Sequence, residues 1–328
     1  MADHLLEVRD LSVTFNTVRG PVHAVKSVSW HLDRGEVLAI LGESGSGKSV
    51  SASAILDLID CPPGEISSGE ILFDGQDLLT MDHEQRRAIN GKRIAMIFQD
   101  PMTSLNPVLT VKRQMMEGLL KHTNMTKSQA YDRAVELLKL VGIPNAEKRI
   151  EGFAFQLSGG MRQRVMIAMA IARTPKLLIA DEPTTALEST TRAQVFRLLK
   201  SLNQLKNMSI LMISHELEEI VEWSHGMHVL YCGQMVEAGP TNKIFSQPRH
   251  PYTQALLKSL PDYEQGLAHK EPFYALKGTI PTLQHLPIGC RLGPRCPQAQ
   301  KECVVTPKLT KHHSQSYACH FPLIKAMK

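Results

Sequence analysis

The sequence has no hydrophobic run approaching the ~18 residues that a membrane helix needs; its longest lies at residues 165–172. A chain of this kind is not expected to cross a bilayer by itself. The first residues, MADHLLEVRD, are charged early and lack an apolar core, so no secretory signal is expected. An excess of one charge is missing too: 37 Lys and Arg against 32 Asp and Glu leave a net +5 over 328 residues. So mild a balance does not argue for nucleic acid, and it suits any anionic partner, including a nucleotide or a lipid surface. Internal repeats and low-complexity segments are absent. The composition that remains is 43% hydrophobic and 21% charged, which excludes a disordered chain. At about 150 residues per domain the length predicts about two domains.

Strand and helix patterns alternate along most of the chain. Residues 11–15 (LSVTF) and 22–32 alternate loosely in polarity, with Gly20-Pro21 as a turn between them. Residues 37–41 (VLAIL) are continuously apolar, as a strand buried on both faces should be. A Gly/Ser-rich loop follows, and then a helical stretch over 48–59. Residues 71–73 and 94–98 read as further short strands. Residues 108–150 carry helical periodicity, for example Ala134, Leu137, Leu138 and Val141. Residues 177–180, 210–213 and 228–231 give three more apolar strands with helices between them. The expected class is α/β: a mostly parallel sheet, antiparallel strands at the N-terminus and a helical insertion.

The segment Gly42-Glu43-Ser44-Gly45-Ser46-Gly47-Lys48-Ser49 fits G-x-x-x-x-G-K-[ST] and lies between a predicted strand and a predicted helix. Glycines let successive N–H groups turn inward toward phosphate oxygens, and the helix N-terminus adds its dipole. Lys48 supplies charge to the β- and γ-phosphates, and the Ser49 hydroxyl suits Mg²⁺. The other half of such a site is an acidic residue ending a buried strand, and Leu177-Leu178-Ile179-Ala180-Asp181-Glu182 provides one. Asp181 is expected to hold Mg²⁺, with Glu182 as general base for an attacking water.

A third motif, Leu157-Ser158-Gly159-Gly160-Met161-Arg162-Gln163-Arg164, opens an apolar helix. Ser158 is an N-cap type, and the glycines leave backbone N–H groups bare, which makes a second anion site on one chain. This stretch resembles the signature motif of ABC-transporter ATPases. The resemblance implies that Ser158, Gly159 and Gly160 bind the γ-phosphate of ATP held by a partner subunit. It extends over residues 5–245. Phe15 sits where the family has its adenine-stacking aromatic, and the loop residues Gly42, Ser44, Gly45, Gly47, Lys48, Ser49 and Val50 become the ATP-binding set. Gln99, in Ile97-Phe98-Gln99-Asp100-Pro101, resembles the Q-loop glutamine that contacts Mg²⁺ or water and senses the membrane subunit. His215, in Ile213-Ser214-His215-Glu216, resembles the switch histidine that contacts the γ-phosphate. Two positions depart from the commoner pattern. Glu188, after Thr185-Ala186-Leu187, and Glu216 stand where the family more often has Asp. Glu188 keeps the carboxylate but reaches one methylene further across the dimer interface.

The subfamily is legible as well. FQDPMTSLNP at 98–107, LIADEPTTAL at 178–187 and HPYTQAL at 250–256 resemble the ATPases of dipeptide and oligopeptide importers. The tail segments LPIGCRLGPRCP (286–297) and YACHFP (317–322) are similar to those of the Sap-type branch, and Glu188 points the same way. The resemblance implies an ABC ATPase domain over 1–245, with a helical subdomain over about 105–170, and a small loop-rich C-terminal domain over 246–328. It implies a homologous ATPase partner, two transmembrane permease subunits, a periplasmic solute-binding protein acting indirectly, and no nucleic acid. It further implies a peripheral location on the cytoplasmic face of the bacterial inner membrane. A soluble ABC ATPase acting on DNA or ribosomes is the alternative. The stretch between Ser49 and Leu157 is too short for the long coiled coil of the DNA-repair members, and the single cassette differs from the paired cassettes of the ribosomal ones.

Four of the six cysteines crowd the tail: Cys290, Cys296, Cys303 and Cys319, with 5, 6 and 15 residues between them. The expected compartment is reducing, which disfavours disulfides. Four thiolates suit Zn²⁺ or a [4Fe–4S] cluster, and spacing alone leaves both open. The family resemblance implies the iron–sulfur cluster. Prolines are frequent after Gly239, so this tail is expected to be held by something other than a large core.

Overall fold

A computed structural model describes residues 4–100, 104–185, 187–215, 217–260 and 276–323. Pro101, Ala186 and Glu216, which belong to the motifs above, lie outside the described residues. The chain order opens with β1 (Leu6–Thr17), β2 (Gly20–Leu32), β3 (Val37–Leu41), α1 (Lys48–Leu56), β4 (Gly64–Phe73) and β5 (Gln76–Asp77). Next come α2 (His83–Ile89), β6 (Ile94–Ile97), α3 (Val111–His122), α4 (Lys127–Leu140), α5 (Ala146–Arg149), α6 (Gly159–Ala170), β7 (Leu177–Asp181) and α7 (Ser189–Lys206). It closes with β8 (Ser209–Ser214), α8 (Leu217–Trp223), β9 (Gly226–Tyr231), β10 (Gln234–Pro240), α9 (Thr241–Ser246), α10 (Pro251–Lys258), β11 (Thr310–His312) and β12 (Gln315–Tyr317). Two compact units result: Met1–Met81 with Ile213–Lys328, and Asp82–Met212. Among the described residues no helix is long and apolar enough to cross a membrane.

In the first unit β2, β1, β4 and β5 form an antiparallel sheet in that order. β1 extends beyond residues 11–15 on both sides, and its register slips between Val8 and Leu11, Leu11 and Val13, and Val13 and Thr14. Each slip breaks the two-residue alternation on which a sequence reading relies. β3 is buried at every residue and pairs in parallel with β9. α1 stops short of residue 59 because Asp57 adopts φ 60° and the Leu58 N–H closes onto the Ser53 carbonyl at 2.9 Å.

The tail joins this unit mainly through polar contacts. β11 and β12 form a hairpin, and β12 pairs with β10 through Glu237 opposite Tyr317. Ala318 N–H donates to the Val236 carbonyl at 2.9 Å, and Leu323 N–H to that of Arg249 at 2.8 Å. Arg291 donates to the Cys232 carbonyl. Beyond residue 275, Leu292 and Ala318 are the buried apolar residues among those described.

The second unit places β6 beside β7 in parallel, Ile94 opposite Leu177. The periodic stretch at 108–150 breaks into three helices. Thr126 starts α4 with a capping box to Gln129, and Gly142 at φ +76° ends it, with Ile143 N–H closing onto the Leu138 carbonyl at 2.9 Å. Ala130, Ala134, Leu137 and Leu138 form the buried face of α4, as their spacing predicts.

One buried titratable group makes the first unit acid-sensitive. His250 is 1% exposed, and burial pushes its imidazole down to about 3. Its Nδ1 accepts the Tyr252 N–H at 3.2 Å and so caps α10. The unfolded chain takes a proton here below ~6.5 while the folded chain does not, so the contribution is complete above that pH and is lost as pH falls toward about 3. Between about pH 6.5 and 4.5 this residue is expected to remove roughly 2–3 kcal/mol of stability. Urea unfolding at the two pH values measures it. His250→Asn, which keeps a capping acceptor but cannot titrate, should lower the slope to what remains from His228, whose imidazole burial also pushes down to about 3; an unchanged slope assigns the acid loss elsewhere.

Candidate functional site

The phosphate loop follows directly from β3. At Gly42 (φ +150°) a Cβ would stand 2.2 Å from the Leu230 carbonyl oxygen, and at Gly47 (φ +100°) 2.5 Å from that of Ala24. Backbone packs against backbone at both positions, so no side chain fits. Gly45 (φ +76°) instead faces open space. Ser46 is 3% exposed, and its Oγ is buried with no hydrogen-bond partner. A buried hydroxyl lacking an acceptor is costly unless a ligand oxygen meets it. The Lys48 ammonium donates to the carbonyls of Gly42 at 2.7 Å and Glu43 at 3.1 Å. An open glycine, an orphan hydroxyl and a lysine resting on its own loop are what an oxyanion would complete. Ser44 is exposed, and Ser49 and Val50 are half-buried at the start of α1.

Two further candidates belong to the same unit. Phe15 is half-buried on β1, opposite Val22 and Gly64, and its Cε1 would lie 3.1 Å from a Cβ at Gly64. His215 is exposed just after β8.

In the second unit the two carboxylates at the end of β7 part company. Asp181 is 4% exposed and still in the strand. Glu182 turns out of it at φ +45°, and its Oε2 accepts from Gln99 Nε2 at 2.7 Å and from Thr185 Oγ1 at 3.1 Å. Gln99 and Glu182, 83 residues apart, are thus brought together. Thr185 was not singled out in the sequence, because one hydroxyl near an acidic pair carries no spacing signal.

Ser158 caps α6 by accepting the Met161 N–H at 3.3 Å. Gly159 is exposed, and at Gly160 a Cβ would stand 2.4 Å from Thr191 Cγ2. Arg162 Nε donates to the carbonyls of Ala154 and Leu157 and so ties down the loop entering the helix. Glu188 occupies the N-cap position of α7 and is exposed.

A second network went unseen in the sequence because its members are far apart. Tyr252 Oη accepts the Glu43 N–H at 2.9 Å. Arg295 holds the Glu43 carboxylate through Nη1 at 2.8 Å and Nη2 at 3.2 Å, and Nη1 also donates to Tyr231 Oη at 3.2 Å. The hydrogen bonds to Glu43 hold the Arg295 guanidinium well above its ordinary range. Burial likewise raises the phenols of Tyr252 and Tyr231, which keeps both hydroxyls protonated.

Residues 25–185 match the ABC transporter family, and residues 236–303 match the C-terminal region of oligopeptide/dipeptide transporters. The chain is 51% identical over 320 residues to the dipeptide transport ATP-binding protein DppD of Haemophilus influenzae, covering 97% of this chain and 96% of that one. It belongs to the ABC-transporter ATP-binding subunits. It is also 45% identical to the peptide transport system ATP-binding protein SapD of Salmonella typhimurium, over 97% of this chain and 98% of that one. Among solved structures, a dimeric bacterial ATP-binding cassette in a post-hydrolysis state, bound to ADP and Pi, superposes with a TM-score of 0.65 at 27% identity. It covers 72% of this ABC subunit and 98% of that chain.

For this ABC subunit the iron–sulfur expectation is overturned. The relatives are named as peptide-transport ATP-binding proteins, not as iron–sulfur proteins. Among the described residues, the set of three or more His, Cys, Asp and Glu ligand atoms within 4.8 Å of one another is His4, His31 and Asp33, and no tail cysteine belongs to it. The four tail cysteines are free thiols without a cluster-like arrangement. Burial pushes the thiols of Cys290 and Cys296 up, and that of Cys319 up to about 11. The tail is held by its backbone pairing and its arginines instead.

Proposed function

We propose that this subunit hydrolyses ATP to drive peptide uptake through a bacterial membrane transporter. The observation that carries the reading is the near full-length identity to a dipeptide transport ATP-binding protein, which takes in both the cassette and the tail. In this reading residues 1–245 are the ATPase domain, 105–170 its helical subdomain and 246–328 the peptide-importer tail. Two copies, or this chain and a homologue, close on ATP. The Lys48 loop of one holds the phosphates, and Ser158, Gly159 and Gly160 of the other face them. Ser49, Gln99 and Asp181 offer the hard oxygen donors that suit Mg²⁺, which would neutralise phosphate charge. Glu182 is the base for water, His215 contacts the γ-phosphate, Phe15 stacks on adenine, and Glu188 lies at the dimer interface. The contact between Gln99 and Glu182 supports the catalytic assignment: the amide donor fixes the carboxylate's orientation. The subunit sits peripherally on the cytoplasmic side, bound to two permeases.

Purification of the tagged subunit from its native membrane tests the reading. Two integral membrane subunits are expected to co-purify, and a peptide-loaded solute-binding protein should raise ATP turnover of the reconstituted complex. Recovery with ribosomes or DNA, and no membrane subunit, would assign it to the soluble ABC ATPases.

A further inference from the structure

The loop residue Glu43 is held by four residues, Ser46, Lys48, Tyr252 and Arg295, and two of them come from beyond residue 250. Its carbonyl accepts from Lys48 at 3.1 Å. Its N–H donates to Tyr252, 1% exposed, and its carboxylate takes the two-pronged grip of Arg295, whose side chain is 7% exposed. Tyr231 and Tyr252 pack at 4.7 Å between ring centroids, and the Arg295 guanidinium lies 5.9 Å from the Tyr231 ring. This is a half-buried, forked ion pair on an aromatic floor: the Arg295 side is buried while the Glu43 side chain is 30% exposed. A carboxylate in a phosphate loop is otherwise a liability: it repels the incoming phosphates and competes for the Lys48 ammonium. Arg295 pairs its charge and fixes its orientation, while Tyr252 fixes the backbone to which Lys48 is bonded.

We infer that Arg295, with Tyr252, is a positioning residue of the nucleotide site: the tail sets the phosphate loop for triphosphate by clamping Glu43. The inference rests on the phosphate-loop reading above. Removing the guanidinium leaves an unpaired carboxylate beside the phosphates. ATP, carrying one more phosphate than ADP, should suffer more than ADP does. Removing the carboxylate as well should cancel the fault.

The full-length wild type and three variants, Arg295→Met, Glu43→Gln and the double variant, are titrated with MgATP and MgADP by calorimetry, with thermal unfolding of each as a fold control. Arg295→Met is expected to weaken MgATP binding about tenfold or more and MgADP less. Adding Glu43→Gln should recover most of the loss, with Glu43→Gln alone, which keeps one acceptor for Arg295 but loses the fork, falling between wild type and Arg295→Met. Arg295→Lys, a point charge without the fork, should fall between wild type and Met, and it serves if Met does not fold. Wild-type affinity in Arg295→Met or Arg295→Lys overturns the inference. So does a double variant as weak as Arg295→Met alone, since a merely structural arginine would not be rescued by removing a charge. A wild type that binds no ATP would instead overturn the phosphate-loop reading beneath it.

Discussion

Glu182→Gln is expected to keep ATP and lose most of its turnover. In the wild type one oxygen of Glu182, Oε2, takes donors from both Gln99 and Thr185. Two donors on one oxygen orient the carboxylate. The amide has the same shape but cannot take a proton. Loss of a general base costs about 10²–10⁴ in rate. The variant should therefore accumulate as an ATP-bound dimer, seen as a doubled mass by size exclusion with MgATP. Steady-state phosphate release at the wild-type rate would remove Glu182 from the catalytic role.

Lys48→Ala should fail one step earlier, at binding. Lys48 is 5% exposed and its ammonium rests on the Gly42 and Glu43 carbonyls, so it is already in the loop before any ligand arrives. Truncation removes the loop's point charge and frees those two carbonyls, whose negative ends then face the phosphates. Loss of one partner of a buried, charged hydrogen-bond pair costs about 2–5 kcal/mol, roughly one and a half to three and a half orders of magnitude in affinity. A fluorescent ATP analogue titrated into the wild type and the variant reads this directly. Unfolding midpoints should change little, because α1 is held by other residues, Ala52, Ala54 and Ile55 among them. Equal affinity in the variant would mean that the loop does not hold phosphate through Lys48.

Contiguous chemistry made much of the site legible. A phosphate loop needs its glycines, lysine and serine within eight positions, and a buried acidic pair needs only an apolar strand before it. Helical periodicity likewise exposed the apolar face of α4. Where the pattern was interrupted the reading shortened or merged elements. β1 was cut to residues 11–15 by its register slips, and α3 to α5 ran together because capping residues such as Thr126 and Gly142 weigh little against a long period.

The tail shows the opposite limit. Four cysteines in a short span invite a metal, yet spacing along a chain does not fix where thiols converge in space. The structure uses the same tail differently, through the β11–β12 hairpin and through Arg291 and Arg295.

By itself, the sequence determined the α/β class, the phosphate loop, the acidic strand end, the signature helix and the family, since each is written in residues close together. Only the tertiary structure decided that Gln99 and Thr185 share one oxygen of Glu182, that Ser46 carries a buried, unmatched hydroxyl, and that Arg295 reaches Glu43 across 252 positions. Those contacts depend on how distant strands and turns pack. Packing is set by the sum of many weak burial and hydrogen-bond terms, which no local spacing records.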